Sequence, residues 1–368
     1  MALSTIPTRA LSEQGINFRN LIINGDMSIA QRGTSSSSLS GYTSCDRFTA
    51  TNNNLDQLAG TLSQISDAPS GSGLSKSFKF TVTTPETTVD ADEYFTIQHR
   101  IEGQNLQHLK FNTSSAESLT LSFWVKSAVT GTYAVGFYLV DSDRNIGSTY
   151  TINSANTWEK KTLTFVGDTS GSIGNDNTEG LRLWFILGAG STFNNSNNTT
   201  WDTYSSGRLG YGTSNNLLTT SSATWQVTGV QLEVGTSASD FEFLPFDVNL
   251  RRCQRYYFEI NPNGANGGPV YPGRTNGGAD VQNVGIDCPV PLRIGNPSIT
   301  IQSGTVMQTW VSTFSQTSAG GGSVTGLVDT GSNSNRLMVN TNGFSGLTGN
   351  HAAVWGPVIS GMPVDAEL

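Results

Sequence analysis

The chain has 368 residues, a formal net charge of −8 and a pI near 4.9, and only 13% of its residues are charged. No run of Lys and Arg occurs in it, which argues against nucleic acid as a partner, because phosphate-backbone binding needs clustered cations that release counterions. Gly numbers 41, and Ser, Thr and Asn fill much of the remainder, so the composition is that of an outward-facing β protein rich in turns, with room for two or three domains.

Three cysteines, Cys45, Cys253 and Cys288, cannot all pair within one chain, and their wide spacing fits no zinc pattern. They read as buried thiols. The opening MALSTIPTRALSEQG has neither an apolar region nor a small-residue cleavage site, and no stretch reaches the roughly 18 apolar residues of a membrane span. The expectation is synthesis in the cytoplasm without a signal and without membrane insertion.

In chain order, residues 1–18 are polar and broken by Pro7 and Gly15, too short to fold alone. Then Leu21, Ile22 and Ile23 make a continuous apolar run, the pattern of a strand covered on both faces, ended by the turn-capable Asn24-Gly25-Asp26. Its expected partner is the late run Trp225 to Val234. Pairing of these first and last strands would close one antiparallel β-sandwich over residues 19–246 and protect its edges.

Between them the strands alternate with period two. In KSFKFTV, Phe78, Phe80 and Val82 share one face and Lys79 and Thr81 the other; Phe95, Ile97, His99 and Ile101 repeat the pattern. LTLSFWVKS points Leu119, Leu121, Phe123 and Val125 inward and leaves Trp124 outside. Tyr133, Val135, Phe137 and Leu139 follow, after Gly131 at a hairpin turn. Residues 158–166 and 181–187 complete the set, with Leu163 and Phe165, then Leu183 and Phe185, in phase. In the closing run the phase slips between Val227 and Val230, and a β-bulge at Thr228-Gly229 would restore it.

Asp247 can cap a short helix, and residues 247–255 are taken as a helical linker. Residues 256–368 read as a second, smaller β-sandwich, a tip domain with strands near 281–288, 297–302, 306–314, 335–340 and 351–359. Its long Gly-rich loops suit a variable surface, and its few large apolar residues suggest that oligomer contacts supply part of its buried area. The fold class expected is therefore all-β, a jelly-roll-like sandwich followed by a smaller one.

Catalytic motifs are lacking. His99, His108 and His351 stand apart from any nucleophile or carboxylate motif, and no internal repeat suggests a polysaccharide-cleaving β-helix. His99, in phase on its strand, reads as a hydrogen-bonded core residue. Asp90, Asp92 and Glu93 crowd one loop and Asp141 and Asp143 another; oxygen-rich turns of this kind can hold Ca²⁺, although none has the spacing of a dedicated calcium loop. Aromatic side chains offer the binding chemistry, since a sugar ring stacks its C–H face on Trp or Tyr while polar neighbours take its hydroxyls. Trp201, Tyr204 and Tyr211 lie in a polar loop without strand alternation, and Tyr271 and Arg274 form a comparable set in the second domain. Core or subunit packing of these rings stands beside the glycan reading.

NLIINGDMSIAQRG with CDRF, then EGQNLQHLK, LTLSFWVKS, NTWEKKTLTF and TGVQLEVG with DFEF, over residues 19–257, resemble tail-fibre and minor virion proteins of tailed bacteriophages, especially those infecting cyanobacteria. CPVPLRIGNPSITI and the final DAEL are similar to terminal domains of phage fibres. The N-L-x-x-N-G start is also similar to jelly-roll carbohydrate-binding modules. The resemblance implies a non-enzymatic virion protein, a short tail fibre or adhesin on the tail, made in the host cytoplasm and assembled as a homotrimer. Residues 1–18 would be a docking peptide to other tail proteins or to trimer mates, the plain reading being a disordered tail. The terminal domain would meet host surface polysaccharide. The alternative is a connector or capsid decoration protein without a receptor. No cofactor is implied; a structural calcium, if held, is placed by the likeness near Asn24, Asp26 and the closing strand.

Overall fold

The computed structural model describes residues 18–260, 271–275, 281–294, 297–299, 307–311, 316–319, 323–328, 336–342, 352–357 and 362–368. Two compact units divide the chain, Met1–Pro245 and Phe246–Leu368. Unit 1 contains β1 (Ser35–Ser36), β2 (Gly41–Tyr42), β3 (Phe48–Asn53), β4 (Ala59–Ile65), β5 (Ser77–Thr84), β6 (Tyr94–Glu102), β7 (Leu119–Ser127), β8 (Gly131–Leu139), β9 (Arg144–Ile152), β10 (Glu159–Phe165), β11 (Glu179–Ala189), β12 (Asp202–Thr203) and β13 (Thr224–Val234). They form a six-stranded sheet, β1-β4-β5-β13-β7-β10, and a seven-stranded sheet, β12-β9-β8-β11-β6-β3-β2. Every pairing is antiparallel.

The period-two alternation of these strands gives each sheet an apolar inner face, and the two inner faces meet in one core. Rings from the two sheets touch directly: Phe80 lies 4.7 Å from Phe95, and Phe123 lies 5.1 Å from Phe185. Each such ring contributes about 1.5–3 kcal/mol by leaving water. The expected inward sets of β5, β6, β7 and β8 are all buried. The expected bulge is present as well, as a register shift between Thr228 and Gln231 around Gly229, whose φ is +59°.

The opening segment departs from expectation. Leu21 to Asp26 is a buried turn and not a strand, with Asn24 and Met27 at φ of 61° and 59°. Its expected partner is nonetheless the one it meets. β5 pairs with β13 only over Thr224–Val227, and beyond that stretch the turn supplies the bonds, Leu21 N–H to Leu232 O at 2.9 Å and Val230 N–H to Gly25 O at 2.9 Å. Asn20 adds two more, its Nδ2 donating to Val230 O and its Oδ1 accepting from the Leu232 amide. β13 thus runs inside the sheet, between β5 and β7, and does not close it by strand pairing with the N-terminus.

Unit 2 opens with α1 (Phe246–Gln254), whose first turn holds Asp247 and whose last turn holds Arg251 and Arg252, the charges favoured at those ends. Its strands are β14 (Tyr257–Ile260), β15 (Tyr271–Thr275), β16 (Val281–Asp287), β17 (Ser298–Ile299), β18 (Met307–Val311), β19 (Gln316–Ala319), β20 (Ser323–Val328), β21 (Arg336–Asn342), β22 (Ala352–Pro357) and β23 (Met362–Asp365). They make an antiparallel three-stranded sheet, β14-β23-β17, and an antiparallel seven-stranded one, β19-β18-β22-β15-β16-β21-β20, so among the described residues both units are all-β apart from short helical turns and α1. The Pro-rich turn and the C-terminus meet: Arg293 donates to the carbonyls of Ala366 at 2.7 Å and Glu367 at 2.8 Å. All three cysteines are free thiols, Cys45 and Cys253 buried and Cys288 half-buried.

Candidate functional site

The outer face of the seven-stranded sheet in unit 1 carries an aromatic cluster. Alternation along β11 sends Leu183 and Phe185 into the core and turns Arg182, Trp184 and Ile186 outward. Register then fixes their neighbours, with Arg182 opposite Arg100 of β6 and Tyr138 of β8, and Trp184 opposite Gln98 and Gly136. The Trp184 and Tyr138 rings stack at 5.2 Å and 12°. Arg182 lies over both, 5.6 Å from the Tyr138 centroid and 6.0 Å from that of Trp184, while its guanidinium forms a two-bond pair with Glu179.

A third ring arrives from the loop after β11. Tyr204 sits 5.2 Å from Tyr138 and 6.0 Å from Trp184, held by its amide on Asp143 O at 2.8 Å. Behind it Arg208, only 7% exposed, donates to Asn145 Oδ1, Asn145 O, Asn197 O and Thr200 O, tying the loop to β9. Burial pushes the Arg208 pKa down. Tyr138 is pushed up to about 12, by burial first and then by its hydrogen bond to Asp143 and that carboxylate's charge. Burial also raises Tyr94 and Tyr204, so these phenols are protonated donors at neutral pH. Tyr42, Tyr94, Tyr138, Tyr204 and Arg182 are all half-buried, and form the accessible part of this face.

Beneath them the face is closed. Gln98 is 3% exposed and Trp184 5%. Gln98 Nε2 donates to Thr96 Oγ1, which in turn donates to Thr51 O. Neither Gln98 Oε1 nor Trp184 Nε1 has a hydrogen-bond partner among the described residues.

Of the aromatic residues singled out in the sequence, Tyr204 belongs to this cluster. Trp201 packs elsewhere: its ring is 5.7 Å from Phe111 against the core and its Nε1 donates to Val166 O at 2.7 Å. Tyr211 is half-buried, and none of the described ring contacts of the cluster includes it. Tyr271 and Arg274 lie on β15, and their side chains fall outside the described residues. Tyr138, Trp184 and Gln98 were missed, yet the parity of LRLWFIL, which sets Trp184 against Leu183 and Phe185, carried the signal for one of them.

Asn24 and Asp26 are turn-builders here. Asn24 Nδ2 donates to Ile29 O and Asp46 O, its Oδ1 accepts from the Ile29 amide, and Asp26 Oδ1 accepts from the amide and hydroxyl of Ser28. A different carboxylate group assembles from two loops, Asp56 from the β3–β4 connection and Glu86 and Glu93 from the β5–β6 connection. Asp56, Glu86 and Glu93 bring one oxygen each within 4.8 Å of one another, a geometry that can hold a metal ion. Glu86 and Glu93 are buried and Asp56 is exposed. Glu93 has a raised pKa, from burial first and also from the charges of Glu86, Asp90 and Asp56, against the hydrogen bond from the Asp90 amide. His99 has a structural role, its Nε2 accepting from the Ile23 amide at 3.1 Å and its ring lying edge-on to Phe48 at 5.2 Å.

No family model matches the chain, and no curated protein matches it. Similar solved structures include a candidate sugar-binding protein from Bacteroides thetaiotaomicron, 11% identical, covering 58% of this chain and 99% of its own, with a TM-score of 0.34. A family 11 carbohydrate-binding module of a Clostridium thermocellum cellulase is 11% identical, over 56% of this chain and 96% of its own, with a TM-score of 0.29. A family 61 module solved with β-1,4-galactotriose is 9% identical, over 59% of this chain and 99% of its own, also with a TM-score of 0.29.

Proposed function

We propose that this protein is a non-enzymatic glycan-binding adhesin, and that its sandwich unit takes sugar on the outer face of the seven-stranded sheet. The observation that supports this reading is the ring cluster of Tyr138, Trp184 and Tyr204 around Arg182, which lies on the outer face of the sheet over a small apolar cluster of Ala134, Ile186 and Leu209. Half-exposed tyrosines offer apolar ring faces to sugar C–H groups, with phenol, amide and guanidinium groups beside them for hydroxyls. The proposed setting is a tail appendage of a tailed phage, in which a homotrimer anchored through residues 1–18 multiplies weak single sites by effective concentration. The motifs that resemble phage fibre proteins support that setting.

A glycan array probed with the purified protein tests the binding. The expected result is retention on a subset of glycans, lost in Tyr138→Ala and Tyr204→Ala while folding is kept. A protein that binds no glycan and instead co-purifies with another virion component would replace this reading with that of a connector or decoration protein.

A further inference from the structure

Resting on that reading, we infer that the glycan is neutral and hydroxyl-bearing, and that Gln98 and Trp184 determine this specificity at the floor of the face. The two residues stand directly opposite each other on β6 and β11, a spacing of about 5 Å between Cβ atoms, so one sugar unit spans both. The amide orientation of Gln98 is set by its neighbours: Thr96 gives its proton to Thr51 O and therefore accepts from Gln98 Nε2, which leaves Oε1 as the open end. The floor thus offers one acceptor and one donor, the Trp184 N–H, neither satisfied by a described residue. A buried polar group left so is destabilising, and a ligand that satisfies it recovers that cost.

The two open groups select for chemistry. Gln98 Oε1 needs a donor, which a hydroxyl provides and a carboxylate or sulfate does not; Trp184 Nε1 needs an acceptor, which a hydroxyl also provides. The cations nearby do not reverse this choice. Both are engaged by one carboxylate: Arg182 makes a two-bond pair with Glu179, and Arg100 lies 3.7 Å from it. Trp184 packs with Ala134, Ile186 and Leu209 under the partly exposed rings of Tyr138 and Tyr204, so one of those two rings must turn aside for a sugar to reach the indole N–H.

The test uses the full chain and a panel of neutral oligosaccharides, namely gluco-, galacto-, manno- and xylo-configured, with uronic and sulfated counterparts, measured by calorimetry at low and high salt. The expected result is binding of a neutral member with a Kd nearly unchanged between roughly 0.05 and 0.5 M salt. Trp184→Phe, which keeps a ring and deletes the N–H, and Gln98→Leu should each weaken it about tenfold, with thermal melting showing both variants folded. Tighter binding of an acidic member, weakening steeply with salt, would overturn the inference. So would unchanged affinity in Trp184→Phe, which would mean that water satisfies the floor. Either result leaves glycan binding itself standing, whereas a panel with no binder overturns both.

Discussion

Gly25 and Val230 pack backbone to backbone: the Val230 amide donates to Gly25 O at 2.9 Å, and a Cβ on Gly25 would lie 2.1 Å from Val230 O. This approach joins the opening turn to the closing strand at the bulge around Gly229. Gly25→Ala should therefore cost about 3 kcal/mol or more, because the obstructing atom is backbone on both sides. Gly33→Ala is the control: Gly33 has a φ of +114° and open space around it, and the cost there should be about 1 kcal/mol. Urea titration of both variants checks the difference, and equal costs would show that the approach is not a constraint.

The same contact shows what the residues could and could not announce. Leu21, Ile22 and Ile23 are apolar because Ile22 and Ile23 are buried, but continuous burial reads the same for a covered strand and a tucked turn. The Asn residues that flank the run decided the outcome, since side-chain amides bonded to backbone offer an alternative to a ladder. β4 and β9 escaped notice for another reason. AGTLSQI and RNIGSTYTI alternate with small or polar residues at several inward or edge positions, which weakens the period-two signal. The candidate site was half legible: parity along β11 places Trp184 outside, but only sheet order brings Gln98, Tyr138 and Tyr204 to it.

Arg208 anchors the loop that carries Tyr204, with four carbonyl-type acceptors around one guanidinium. Arg208→Met keeps the stem packed and removes all four bonds, leaving the carbonyls of Asn145, Asn197 and Thr200 without them. The expected loss is about 2–4 kcal/mol in global stability. Hydrogen exchange should rise first in residues 194–210, and glycan binding should weaken with Tyr204 no longer held. Unchanged exchange in that segment would show that β12 and the Tyr204 amide suffice to hold it.

In unit 2 the first strand pairs with the last, Tyr257 with Asp365 through Ile260 with Met362, and Arg293 clasps the two residues after β23. Arg293→Ala should lower the melting transition of the C-terminal unit by several degrees, and removal of residues 366–368 should do the same, because both delete the bonds to Ala366 and Glu367. Calorimetry on the two variants checks this; an effect of the truncation alone would assign the stability to the Ala366 amide on Tyr256 O, a bond that Arg293→Ala leaves in place.

Two glutamates give unit 1 opposite responses to pH. Burial acts to raise Glu159, but Lys161 Nζ, the Ser154 amide and the backbone and side-chain amides of Asn153 outweigh it and hold its pKa at about 2. The folded state therefore binds fewer protons than the unfolded one between its ordinary 4.5 and about 2, and the stability it confers is fully present above 4.5 and is lost as pH falls toward 2. Glu93 has the reverse sign. Its folded pKa lies above 4.5, so the folded state keeps a proton that the unfolded chain has released, and stability declines as pH rises from 4.5 through the folded value. Glu159→Gln should then flatten the acid limb of a stability profile measured in chelator, and Glu93→Gln should raise stability at pH 7 while leaving the acid limb intact. A divalent cation held by Asp56, Glu86 and Glu93 would offset the same repulsion, so the gain from Glu93→Gln in chelator should shrink or reverse when millimolar calcium is added; a gain indifferent to calcium would assign the repulsion to burial alone.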